Sequence, residues 1–508
     1  MRLDKPSLKP VLAGVAAAAL LLGVASAPAA AQQPKKGGTL TIAIETDTAT
    51  LDTLGISSIN DRQVAMILYD TLLEFDAKGN IVPGIAEKID ASADATSFKL
   101  TLRNGVRFSD GTPYDAAAVV KNFERIMDPK NKCRCASEVA SIGKVEATGP
   151  LEVSIAMKSP SANFPATLAD IVGMVVSPAA VEKYGAEFAS NAVGAGAFKL
   201  KEWRRGDRIV LERNDKYWRN TVNLDEVVLR PIPDSQTRYA SLQAGNVDVV
   251  FNAAARDVID AQGKKSAQVL NPGSLGTLFI QINLSGADVS DVRVRQAMAY
   301  AIDREAYNKV INRGLYKIAN TPFGSGLAPH EQVEGYPQYD LDKAKKLVAE
   351  YGKPVKIRFS ISAASLTAGQ ALQQMWKKAS IEAELAPVEA SQGIKDAFAR
   401  NYQVMLFRWA GGTDPDKNVY QFFHSRGGIN LTGYNDPEMD KLLETGRATT
   451  DKAERLKIYR TINNKLAKDL PYLFLHYFEN ISLAGNAVKG LPLVPDGLIR
   501  PYAAWKEK

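Results

Sequence analysis

Only two cysteines and three histidines occur in the 508 residues. A four-cysteine metal site is therefore excluded. A two-cysteine, two-histidine site would have to draw on His330, His424 and His476, which are far apart and never paired at i+3 to i+5. Cys133 and Cys135 flank Arg134; in an oxidising compartment a tight turn would let them form a disulfide whose use is to pin a loop. Clustered basic charge is also missing. With no block of five or six lysines and arginines, the net charge of +7 reads as a solvated surface, not as a nucleic-acid or anionic-membrane footprint.

Long apolar runs are absent with one exception, Val11 to Ala25, which follows Arg2, Lys5 and Lys9 and precedes Ala29-Ala30-Ala31. At about 15 residues it falls short of the roughly 20 needed to span a bilayer. The order of positive start, apolar centre and small residues is that of a secretory signal peptide over residues 1–31, cut after Ala31. Its removal takes Arg2, Lys5, Lys9 and Asp4 and lowers the net charge from +7 to +5. The mature chain is expected to be soluble and periplasmic, and no cysteine near the cut offers a lipid anchor.

Enzyme signatures are sparse. Ser141-Ile142-Gly143-Lys144 matches the S-x-x-K of penicillin-recognising enzymes, but the K-T-G partner is missing. His330-Glu331 lacks the second histidine of a zinc-protease helix, and Gly194-x-Gly196 lacks the third glycine of a dinucleotide loop. Gly263-Lys264 is followed by Lys265 where a phosphate-binding loop needs Ser or Thr. No cofactor, resident metal or catalytic residue is expected. The alternative kept open is an exported enzyme such as a cell-wall peptide hydrolase, for which Ser141 would be the residue to test.

What is present is ordinary globular material, 45% hydrophobic and 23% charged, enough for two to four domains at about 100–200 residues each. Alternating patterns predict strands at Thr39–Glu45, Phe98–Leu102, Leu151–Met157, Arg208–Glu212 and Thr277–Asn283. Helical spacing predicts helices over Asp61–Leu73, Ala116–Ile126 and from Asp291, with Val294, Ala297, Met298, Ala301 and Ile302 on one face. Asp436 before Pro437 is a further N-cap, and Asp451 with Glu454 reads as a capping box opening a helix that stops at Pro471. Tyr472–His476 reads as a buried strand. The class is α/β with at least two lobes.

Several segments resemble one family: Gly37-Gly38-Thr39-Leu40, LYDTLLEFDAKGNIVPGIAEKID from Leu68, FKLTLRNGVRFSDGTPYDAAAVVKNFERIMDP from Phe98, GAGAFKLKEW from Gly194 and LERNDKYW from Leu211. SLQAGNVDVV from Ser241, DVRVRQAMAYAIDRE from Asp291 and YNDPEMDKLL from Tyr434 continue the series in order. The chain resembles the substrate-binding proteins of peptide-type ABC importers, solute-binding protein family 5, which includes dipeptide, oligopeptide and nickel binders. The resemblance implies a large bilobal periplasmic binding protein, type II-like and of cluster C, with an extra subdomain in lobe I. Lobe I would comprise residues 38–53, 191–275 and 477–508, the subdomain 54–190, and lobe II 276–476. The implied role is capture of a peptide or peptide-like molecule in an interlobe cleft and delivery to an ABC permease in the inner membrane, by a monomer that binds no nucleic acid. Metal chelate, opine-like and sugar ligands are the implied alternatives.

The same resemblance supplies candidate ligand-binding residues. The loop after a lobe II tryptophan faces the cleft in this family, which points to Arg408, Trp409, Gly411, Gly412 and Asp414, with Ile56, Ser57 and Ser58 on the facing lobe. Dipeptide binders place an amine-pairing aspartate three residues after that tryptophan; here the position holds Gly412. Asp414 before Pro415 also satisfies an N-cap, Gly411-Gly412 a turn, Trp409 a core position and the serines a polar loop.

Overall fold

The computed structural model describes residues 33–507 except 220, 221, 331, 332, 334, 363, 364 and 410, so the export segment read over 1–31 lies outside the described residues. β1 (Thr39–Ile44) is followed by α1 (Ile59–Leu68) and then by β2 (Ala86–Ala91), β3 (Ser97–Leu102), α2 (Ala116–Met127), β4 (Ile142–Gly149) and β5 (Glu152–Met157). The hairpin β6 (Phe198–Arg204) and β7 (Arg208–Arg213) leads to β8 (Glu226–Pro231), β9 (Val249–Val250) and β10 (Gln268–Leu270). Next come β11 (Ser274–Ile282), α3 (Val292–Tyr300), α4 (Arg304–Asn312), β12 (Val355–Ser362), α5 (Leu366–Lys378), β13 (Ile381–Val388), α6 (Ala390–Phe398) and β14 (Val404–Trp409). The last part holds α7 (Pro415–Phe423), α8 (Pro437–Arg447), α9 (Lys452–Asp469), β15 (Tyr472–Glu479) and β16 (Ser482–Ala484).

Local chemistry starts most of these helices. Asp115, Asp291, Asp414, Asp436 and Asp451 each accept a backbone N–H of the first turn of α2, α3, α7, α8 and α9, satisfying donors that have no partner inside the helix. The capping box at Asp451 is only half made: the Asp451 N–H donates to Thr449 Oγ1, whose hydroxyl donates to Glu454. The first predicted helix also ends early. It stops at Leu68, not Leu73, because the Leu68 carbonyl accepts from Gly196 and those of Thr71 and Leu72 accept from Ile85 and Ala86. Tertiary partners thus take groups that a longer helix would have paired: the Leu68 carbonyl goes to Gly196, and the Leu72 N–H donates to the Gly173 carbonyl.

Three sheets organise the chain. The seven-stranded sheet has order β10-β16-β9-β1-β8-β7-β6, with β1 parallel to β8 and β9. The five-stranded sheet has order β13-β12-β14-β11-β15, in which β12 is parallel to β13 and β14 while β11 is antiparallel to β14 and β15. The four-stranded sheet β2-β3-β5-β4 is antiparallel throughout, and α2 packs against it. Each sheet carries its own large apolar cluster, built around Phe279 and Trp376, around Phe98 and Phe123, and around Ile42 and Phe198. The chain passes directly between the two larger sheets twice, at β10 to β11 and at β15 to β16. The passages lie side by side: Ser274 pairs with Glu479, the Ser274 hydroxyl donates to the Phe478 carbonyl at 2.5 Å, and Asn271 Nδ2 donates to Glu479 at 2.6 Å. Among the described residues no helix is long and apolar enough to cross a membrane, and Cys133 and Cys135 form a disulfide with Cα atoms 5.1 Å apart.

Just past α1, Asp70 is half-buried where Tyr217 Oη (2.9 Å) and Trp218 Nε1 (2.6 Å) both donate to it, tying this segment to the chain after β7. Burial, with Glu74 adding repulsion against the opposing pull of Arg219, pushes its carboxyl up to about 6. A folded-state pKa above the unfolded value means that the stability the protonated group confers is present below pH about 4 and is lost as pH rises through about 6. Asp70→Asn, which keeps an acceptor oxygen without the charge, is expected to melt higher than the parent at pH 7.5. The difference should shrink as the pH is lowered from 7 to 4 in thermal denaturation.

Candidate functional site

In open α/β sheets ligands sit outside the carboxyl ends of parallel strands. β12, β13 and β14 run parallel and end at Ser362, Val388 and Trp409. A cavity of about 840 Å³ opens there, with Ser362 and Val388 in its lining. Its floor is a row across three strands, in which Leu278 on β11 is in register with Arg408 on β14 and with His476 on β15. His476 lies flat against Tyr316, ring centres 4.8 Å apart and planes at 7°, with Nδ1 2.9 Å from the Tyr477 carbonyl. Burial holds the imidazolium pKa below its usual value, so the ring is neutral at pH 7. The Arg408 guanidinium sits 4.8 Å from the centre of the Phe478 ring. Val310 on α4 and Ile394 on α6 line the same cavity although 72% and 50% exposed. Apolar surface left open at a concave site is surface for a guest to cover.

A second cavity, of about 540 Å³, lies between the part of the chain that carries the four-stranded sheet and the α7–α8 region, and Trp409, Gly411 and Gly412 line it. It is ionic. Arg62 Nη2 on α1 donates to both oxygens of Asp170 at 2.9 Å. The Lys417 ammonium on α7 donates to Glu138 at 2.7 Å, and Arg447 grips Asp416 through Nε and Nη2 at 2.8 and 2.7 Å. Glu138 and Asp170 outweigh the cost of burying Lys417 and keep its ammonium charged. Two further bonds cross the same boundary: Asn163 Nδ2 donates to Asp416 at 3.1 Å, and the Ala162 N–H donates to the Arg447 carbonyl at 3.0 Å. Among the described residues no group of three or more His, Cys, Asp or Glu is gathered to hold a metal ion.

The segment between the cavities is pinned by Asn418. Its Oδ1 accepts from Trp409 Nε1 and from the Gly412 N–H, both at 2.8 Å, while its Nδ2 donates to the Leu275 carbonyl on β11 at 3.2 Å. The Trp409 ring meets Phe422 nearly edge-on at 5.0 Å. Trp409 is thus at once a packing residue and part of the cavity wall. Gly411 has φ +87° and pairs with Leu275; a Cβ there would lie 2.1 Å from the Leu275 carbonyl carbon. Gly412 leaves its Cβ direction to the stem of Lys417, 2.4 Å from where that carbon would stand.

The remaining sequence candidates have structural employment. Asp414 caps α7, and its carboxylate is held by Arg455 at 3.0 and 2.8 Å. Ser58 caps α1 in a reciprocal box with Asp61, Ser57 donates its N–H to the same carboxylate, and Ile56 is buried among apolar neighbours. Burial alone would raise the Asp61 pKa, but hydrogen bonds from Ala49, Thr48, Ser58 and Ser57 together hold it below the usual carboxylate range. None of these four residues lines either cavity. The Ser58-x-x-Asp61 spacing, a capping signal, was legible in the sequence; Arg62, Glu138, Asp170, Lys417 and Asn418 carried no local signal. Ser141 lines the ionic cavity, whereas Lys144 points away on β4 and pairs with Glu146. Gly411→Ala should cost about 2–4 kcal/mol, because both its backbone sign and the β11 main chain resist a methyl. Gly412→Ala brings its methyl against the Lys417 Cβ, which the α7 backbone holds in place, and should cost about 1–3 kcal/mol, less than Gly411→Ala because its backbone needs no positive φ. Denaturant titration of the two variants reads the order.

The profile of the bacterial extracellular solute-binding proteins, family 5, middle region, matches residues 80–430. The glutathione-binding protein GsiB of Pectobacterium atrosepticum is 28% identical over 474 residues, 90% of this chain and 92% of that protein. The oligopeptide-binding protein AppA of Bacillus subtilis, in complex with a nonapeptide, aligns with a TM-score of 0.77 and 25% identity over 94% of this chain and all of that one. AgaA of A. tumefaciens R10, in complex with agropinic acid, aligns with a TM-score of 0.76 and 28% identity over 93% and 99%. These likenesses run through all three sheets, and with the matched profile they place the fold as the bilobal one: the chain belongs to the bacterial extracellular solute-binding proteins, family 5.

Proposed function

We propose that this protein is the solute-capturing subunit of an ABC importer, exported to the periplasm by residues 1–31, and that it takes a peptide or peptide-like small molecule. The observation that carries the reading is the placement of an 840 Å³ cavity at the carboxyl ends of three parallel strands, beside the two adjacent passages that join the large sheets. The named relatives that bind glutathione, a nonapeptide and agropinic acid support a peptide-like guest. In this reading lobe I comprises 38–53, 191–275 and 477–508 with the subdomain at 54–190, lobe II is 276–476, and residues 271–273 and 480–481 are the hinge.

Binding requires no bond making. Closure strips water from the guest, and polar contacts strengthen as the local dielectric falls. The guest shifts the open–closed balance only by its differential affinity for the closed form. The contacts between Ala162 and Arg447, Asn163 and Asp416, and Glu138 and Lys417 are bonds that such closure makes or breaks. The closed form is what a permease in the inner membrane would recognise. Arg408, Trp409, Gly411 and Gly412 are the contact residues in this scheme, with the chain acting as a monomer.

Mass spectrometry of the small molecule that co-purifies with the protein should return a peptide-like compound, intact after prolonged incubation. Solution scattering should show contraction on saturation, and at 100 times its Kd the guest should add about 2.7 kcal/mol of stability. Steady cleavage of the compound, lost in Ser141→Ala, would instead establish the exported hydrolase. Arg408→Ala should weaken binding about tenfold or more without lowering the melting temperature, since Arg408 is exposed and its described contact is a ring face.

A further inference from the structure

The ionic cavity has an unequal charge inventory: Arg62, Lys158, Lys417 and Arg447 line it, against Glu138, Asp170 and Asp416. Each acid is already occupied at short range, Asp170 by Arg62, Asp416 by Arg447 and Glu138 by Lys417. The cations are not equally spent. Lys158 donates only to the Ala140 carbonyl, at 3.2 Å, and meets no carboxylate among the described residues. Arg62 gives Asp170 one nitrogen, and its Nε is buried without an acceptor.

Lys417 gives the cavity a further property. Its stem runs past Gly412 and its ammonium reaches Glu138 on the opposite wall, so the space in front of the Trp409–Gly412 segment already contains a bound ammonium that belongs to the protein. A guest ammonium would have to displace it, leaving a half-buried lysine with only Asp170, which Arg62 already holds, as counter-charge. A guest carboxylate displaces nothing, and finds in Lys158 a lining cation that no carboxylate holds among the described residues.

We propose that this cavity accepts the anionic, amine-blocked end of a ligand, so that the protein selects N-acylated or N-carboxyalkylated amino acids and peptides over those with a free α-ammonium. The inference rests on the peptide-like reading given above and narrows it. Lys417 is the residue that sets the choice, by occupying with its own charge the acid that an amine would need.

Calorimetric titration with three probes tests it: the free tripeptide Ala-Ala-Ala, its N-acetyl form and its N-succinyl form. The N-succinyl form should bind at least about tenfold more tightly than the free tripeptide, which is about 1.4 kcal/mol, with the N-acetyl form between them. Lys417→Met, which keeps the stem and releases Glu138, should narrow or invert that preference by about tenfold, with a melting curve reporting that the variant is folded. Glu138→Gln should leave the preference standing. Tighter or equal binding of the free tripeptide overturns the inference and spares the peptide-like reading. Loss of free-tripeptide binding in Glu138→Gln overturns it too, by marking Glu138 as an ammonium site. If none of the probes binds at millimolar concentration, the peptide-like reading fails and the inference with it.

Discussion

The carboxamide of Asn418 is the contact on which the rest of the site depends. It is buried, and it satisfies three main-chain or ring groups, from β14, from the loop after it and from β11. Buried polar groups of this kind are expensive unless every bond is made, and when made they hold one geometry. Here the geometry is that of Trp409, Gly411 and Gly412 held against the start of β11, the strand the chain enters directly from the seven-stranded sheet. The wall between the two cavities is thereby fastened to β11 beside the paired passages.

The two cavities then divide the chemistry. One is largely apolar, with a neutral imidazole stacked on a tyrosine and one arginine over an aromatic ring. The other is packed with ion pairs. Buried pairs contribute little net stability, because desolvation offsets their attraction. Their use lies in what they refuse: a wrong charge entering the site has to break a pair that is already good. That makes the ionic cavity a filter and the apolar one a source of affinity.

Much of the scaffold was legible in the sequence because its causes are local. The aspartate caps at α3, α7, α8 and α9 and the apolar runs of β11 and β15 each depend on neighbours within a few residues. The end of α1 was not legible, since carbonyls at 68, 71 and 72 are claimed by strands and loops elsewhere. For the site, Trp409, Gly411 and Gly412 line the ionic cavity and Arg408 the larger one. Ile56, Ser57, Ser58 and Asp414 serve capping and packing instead. The filter itself could not be read, because Glu138 and Lys417 stand 279 positions apart and nothing near either names the other.

The paired passages between the sheets have a mechanical consequence. Two connectors set side by side, as the Ser274–Glu479 pairing shows, permit a swing about one line and resist twisting. The two large clusters are separate, and the residues of the passages, 271–273 and 480–481, lie outside the strands on either side, so the swing proposed above would leave both clusters intact. Opening of that kind would cost little against unfolding. A guest weighing only a few interactions can decide it, and its departure can undo the decision.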